Sequence, residues 1–129
     1  MSKNSNKIEA LLSRAVIDVI AEYDDTPVRG NVMASGDDDF DRQCEDEVID
    51  RLDRGDVWAW SRVEVCATLD VGDMVTLTSS AYLGGCTFGD EEDFRSAVCF
   101  EDMKHEVLEG LRSQLEQLRA ALSDEVVSQ

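Results

Sequence analysis

A chain of 129 residues with 43% hydrophobic residues, 29 acids, 12 lysines and arginines and a formal net charge of −17 fits one domain with one core. The apolar residues fall in periodic runs, which excludes a disordered acidic tail, and no run approaches the roughly 20 residues of a membrane span. Scattered basic residues on so negative a chain also exclude direct binding to nucleic acid.

Residues 1–7 are polar and are expected to form a flexible N-terminus. They lack the apolar stretch and small-residue cleavage site of a secretory signal, so the expected location is the cytoplasm. From Ile8 to Tyr23 the residues Ile8, Leu11, Leu12, Ala15, Val16, Val19 and Ile20 follow the spacing of one buried helical face. Asp24 to Pro27 end that helix, and Val28 to Ala34 reads as a connector with Val32 and Met33 able to cover the core.

Ser35 is expected to cap a second helix, with Asp38 in a variant capping box and acids in the first turn where they suit the helix dipole. Its buried stripe is Phe40, Cys44, Val48 and Leu52, with Ile49 beside it. Asp38/Arg42, Glu47/Arg51 and Asp50/Arg54 have ion-pair spacing, and Gly55 suits the position just past the end.

Val57–Leu69 and Val75–Leu83 read as a β-hairpin. A three-residue loop, Val71 to Asp73, sets Leu69 opposite Val75, Ala67 opposite Leu77 and Val63 opposite Ala81, all on one face. Residues 86–100 read as an acidic loop anchored by Phe88, Phe94 and Phe100. A last helix, about 101–122, carries Met103, Val107, Leu108, Leu111, Leu115, Leu118 and Leu122 as a seam that packs on the first helix or forms a homodimer. Residues 123–129 are expected to fray. The expected fold is therefore a single α+β domain over residues 8–122, ordered α-α-β-β-α, with helices on one face of a small antiparallel hairpin sheet.

Nothing here marks an enzyme. There is one histidine, His105, and no Gly-x-Ser-x-Gly, phosphate loop or HExxH. Cys44, Cys66, Cys86 and Cys99 form no CxxC pair and read as free core thiols. Asp37, Asp39 and Asp41 match the first EF-hand positions, but Arg42 and Val48 stand where glycine and glutamate are required, so no metal or other cofactor is expected.

What stands out is where the charge lies. Gly36–Asp56 carries ten acids against three arginines, and Gly89–Glu109 carries eight acids against Arg95 and Lys104, together −13 of the −17. A helix over 37–54 spans about 27 Å with nine acids, close to the one charge per roughly 3.4 Å of a single nucleic-acid strand. Asp37, Asp38, Asp41, Glu45, Asp46, Asp50, Asp53, Asp90, Glu91, Glu92 and Asp93 are accordingly the candidate phosphate surrogates. Trp58 and Trp60 are candidate aromatic contacts, unless a helix or loop covers them.

The stretches VRGNVMASGDDD, RLDRGDVWAWSRVEV, YLGGC and FEDMKHEVLEGL, over roughly residues 27–112, resemble short acidic proteins carried by bacteriophages and mobile elements. The resemblance implies expression in a bacterial host and a small accessory role. By analogy of size and charge it suggests a DNA mimic of the anti-restriction or anti-CRISPR kind. The expected partner is a basic, nucleic-acid-binding host protein or ribonucleoprotein complex, with neither nucleic acid nor membrane bound directly. The alternative is a phage assembly or scaffold protein that acts through the leucine seam and an aromatic patch.

Overall fold

A computed structural model describes the backbone of residues 3–127 and the side chains of 7–122. The elements are α1 (Lys3–Leu12), β1 (Val16–Tyr23), α2 (Asp38–Asp53), a 3-10 turn (Val57–Ala59), β2 (Ser61–Val71), β3 (Val75–Cys86), α3 (Glu91–Arg95) and α4 (Val98–Val127). The fold is mixed helix and strand, with a three-stranded antiparallel sheet in the order β1-β2-β3. The expected order α-α-β-β-α is thus corrected, because a strand stands where the second half of the first helix was placed. No helix among the described residues is long and apolar enough to cross a membrane.

The correction has a local cause. Val16, Ile17, Val19 and Ile20 are β-branched, stiff at χ1 and better suited to a pleated surface than to a helix. In β1 the half-buried positions are Ile17, Val19 and Ala21, while Val16 and Ile20 are 58% and 44% exposed. Helical spacing assigns those two side chains to the core. α1 ends in a tightened turn, with Arg14 N donating to Leu11 O at 2.9 Å and Ala15 N to Leu12 O at 3.1 Å. It also begins at Lys3, inside the stretch expected to be flexible, and α4 runs past the expected fraying point; residues 1–2 and 128–129 lie outside the described residues.

β1 is a sheet edge whose exposed residues alternate between apolar Val16 and Ile20 and charged Asp18 and Glu22. Inserted charges of this kind keep an edge from pairing with another chain. Near the isoelectric point of about 4.1 that protection fades, and the protein is expected to self-associate. Light scattering across an acid titration checks this: Ile20→Lys should remain monomeric at a pH where the parent does not.

The contacts divide the chain into two compact units. The first takes in, among the described residues, 3–18, 65–81 and 102–127. Its buried side chains include Ile8, Leu12, Val65, Ala67, Leu69, Val107, Leu111 and Leu115. Arg112 bridges Glu9 and Glu109, and the Arg112 contact holds the Glu9 carboxyl below its ordinary range. Gln114 Nε2 donates to Thr78 O at 2.8 Å. The close approach of α4 to β3 favours glycine at Gly110, where a Cβ would displace the Ser79 hydroxyl and lie 3.2 Å from its Cβ. The seam is buried at Met103, Val107, Leu111 and Leu115, with Leu108 half-buried, and then emerges, with Leu118 38% and Leu122 66% exposed.

The hairpin keeps the expected inward face except at Val75, which is 41% exposed beside the loop, and it shifts its register. β2 ends at Val71 and β3 begins at Val75, so the loop is Gly72–Met74 rather than Val71–Asp73, with Gly72 at φ 65°. Thr76 Oγ1 donates to Asp70 at 2.7 Å across the pair. Each residue moves two positions along its partner, which preserves the face because side chains alternate with a period of two. The first strand also starts later than expected, since Val57–Ala59 forms the 3-10 turn, capped by Asp56 through Trp58 N.

Candidate docking surface

The second unit comprises Val19–Glu64 and Tyr82–Glu101, and it holds all the candidate surrogates. Its core joins Val48 of α2 to Ala59 and Trp60, with Val28, Val32 and Leu52 packed against them. Trp60 is 4% exposed and its Nε1 donates to Thr26 O at 2.8 Å. Trp58 is half-buried, 5.7 Å from Phe94 and 6.4 Å from Phe88 between ring centroids. Phe94 in turn lies 5.1 Å from Phe88 and 5.6 Å from Phe100. The two tryptophans thus serve the interior of this unit, and Trp60 leaves only a ring edge at its surface.

The cap of α2 is Asp37, not Ser35. Its carboxylate accepts from Asp39 N at 3.1 Å and Phe40 N at 3.2 Å, while Ser35 instead donates through N and Oγ to Asp41. Phe40, expected in the buried stripe, is 47% exposed at this first turn. Asp50/Arg54 forms at 2.9 Å, but Arg51 pairs with Asp56 at 2.8 Å rather than with Glu47.

Glu45 is corrected from surrogate to anchor. It is 8% exposed, accepts from Gly30 N at 3.0 Å and pairs with Arg29 at 3.0 Å. Those two contacts, the backbone bond first, hold its carboxyl below the ordinary value of 4.5. The stability this adds is present above that value and is lost as pH falls through the lowered one. Glu45→Gln is expected to unfold more easily than the parent near neutral pH, with the difference shrinking as pH falls below 4.5. Thermal melts from neutral pH downward measure it. Asp24 is held low likewise, by Thr26 N at 2.8 Å and Gly85 N at 2.7 Å.

Most other candidates also hold the backbone or an arginine. Asp46 pairs with Arg29 at 2.6 Å and Glu91 with Arg95 at 3.0 Å. Asp90 caps α3 by accepting from Asp93 N at 2.8 Å, and Asp93 accepts from Gly89 N at 2.8 Å. Asp38, Asp53 and Glu92 are exposed and have no side-chain partner among the described residues. Two further exposed acids, Asp39 and Glu47, are equally uncommitted. Asp39, Asp46, Asp50 and Asp53, at i, i+7, i+11 and i+14, share one helical stripe, a spacing readable in the sequence.

The acidic segments of this unit meet at Arg51. Its Nη2 donates to Phe88 O at 2.6 Å and Gly89 O at 3.4 Å, beside the α3 cap, while its Nε donates to Asp56 at 2.9 Å. The carboxyl end of α2 is thereby tied to the amino end of α3. Asp53 follows this tie by two residues, and Asp90 adjoins Gly89.

The chemistry available is electrostatic. Among the described residues no group of His, Cys, Asp and Glu converges to hold a metal ion, and His105 is exposed. All four cysteines are free, but only Cys86 is buried, and the other three, expected in the core, are half-buried. Burial, aided by Cys99 and Asp24, pushes the Cys86 thiol up to about 11. Comparison with known proteins finds no family model, curated protein or solved structure that matches this chain.

Proposed function

We propose that this chain is a non-enzymatic inhibitor that occupies the DNA- or RNA-binding groove of a bacterial defence protein, a CRISPR effector or a restriction enzyme, in the host cytoplasm. The observation that carries the reading is the Arg51 junction, which brings the acids of α2 and α3 into one ordered unit. Acids on a disordered tail would collapse or adapt, whereas acids on capped helices keep a fixed spacing toward a basic groove.

The test is capture from bacterial lysate on tagged full-length protein at low salt, followed by challenge with duplex DNA and with raised salt. Release of the captured protein by both is the expected result. Retention under either challenge overturns the reading. A second reading, a phage assembly component, draws on the emergence of Leu118 and Leu122 from the core. It requires salt-insensitive capture of virion proteins.

A further inference from the structure

Between the connector and α2 lies a cleft of about 350 Å³. Val32, Met33, Val48 and the edge of Trp60 give it apolar walls, and Glu47, Arg51 and Thr87 supply its charged and hydroxyl groups. The indole and hydroxyl donors on this lining are engaged. Trp60 Nε1 donates to Thr26 O and Thr87 Oγ1 to Ala59 O at 2.8 Å, and the charge of Arg51 is matched by Asp56. Glu47 is the one charge on the lining without a partner among the described residues.

An apolar slot with an uncompensated carboxylate at its rim suits an occupant with an aliphatic stem and a cationic head. We infer that this cleft is a socket for one arginine or lysine side chain of the partner protein, with the stem against Val32, Met33 and Trp60 and the head on Glu47. The inference rests on the reading of this unit as a surface for a basic protein. It adds a keyed contact to what the acidic stripe supplies as long-range attraction. The volume lies at the low end for ligand clefts, which fits a single side chain better than a cofactor.

The experiment titrates isotopically labelled full-length protein with N-acetyl-arginine methylamide and follows its amide and indole resonances. Saturable shifts confined to the Trp60 indole and to the amides of Val32, Cys44 and Thr87 are expected. Glu47→Gln should weaken them about fivefold, the size of one partly exposed ion pair, while Asp53→Asn, which removes the same charge elsewhere on α2, should not. Equal losses in the two variants, shifts spread over all the acids, no saturable shift, or equal binding of the uncharged norleucine analogue each overturn the socket. Lysate capture separates the two claims: a socket that binds arginine without DNA-displaceable capture retires the inhibitor, and DNA-displaceable capture that Glu47→Gln leaves intact retires the socket.

Discussion

Phe94→Ala is expected to lower the unfolding free energy by about 3–5 kcal/mol, the range for truncating a fully buried aromatic ring. Phe94 has no exposed surface and touches Trp58, Phe88 and Phe100, so the cavity cannot close by a shift of one neighbour. The Arg95 guanidinium sits 5.5 Å from the Phe100 ring centre, at the rim of the same cluster. Urea unfolding followed by tryptophan fluorescence measures the loss, because Trp58 lies against the deleted ring. Phe94→Leu, which refills much of the volume, should recover part of it. A loss under about 1 kcal/mol for the alanine variant would show that the aromatic cluster does not hold α3 in place.

The second large effect concerns binding. Reversing Asp38, Asp53 and Glu92 to lysine takes the net charge from −17 to −11, two units for each of three residues, and breaks no side-chain contact among the described residues. Asp38→Lys and Glu92→Lys place cations in the first turns of α2 and α3, at a cost of about 0.3–1 kcal/mol each, and Asp53→Lys offsets part of this in the last turn of α2, where the helix dipole favours a cation. The fold should therefore survive, with an unchanged circular dichroism spectrum and a melting temperature a few degrees below the parent's. Affinity for the captured partner should fall about a hundredfold at low salt, and the remaining binding should depend less steeply on salt. Isothermal titration at two salt concentrations measures both, and an affinity within threefold of the parent would refute the mimic reading, as roughly half a kcal/mol is too little for three lost attractions.

The sequence makes α2 legible because its apolar stripe, its acids and Gly55 agree on a helix of this length. β1 is not legible by the same means. Its residues satisfy helical spacing and strand alternation at once, and only the density of β-branched side chains separates the two. The hairpin face is readable from alternation, whereas its register depends on loop geometry that a shift of two residues leaves indistinguishable in pattern. α3 is too short to show a period, though Asp90 three residues before Asp93 gives a capping signal. Arg29 and Asp56 were hidden for another reason. Arg29 reaches Glu45 from the connector across sixteen residues, and Asp56 meets Arg51 just past the end of α2 at a spacing of five, which helical ion-pair spacing does not mark. The acid-rich character of the surface was readable by counting. Which acids are anchors and which are uncommitted depends on tertiary contacts.

The anchoring acids differ in what they are anchored to, and this makes field and shape separable. Asp37, Asp41, Asp90 and Asp93 each accept hydrogen bonds from backbone N–H groups, a task the amide oxygen of asparagine performs nearly as well. A stepwise Asp→Asn series at these four positions lowers the net charge from −17 to −13 while every cap keeps its acceptor. The molecule thus contains its own dimmer: a graded set of near-identical surfaces that differ only in potential, against which any partner's electrostatic demand can be read as a dose response.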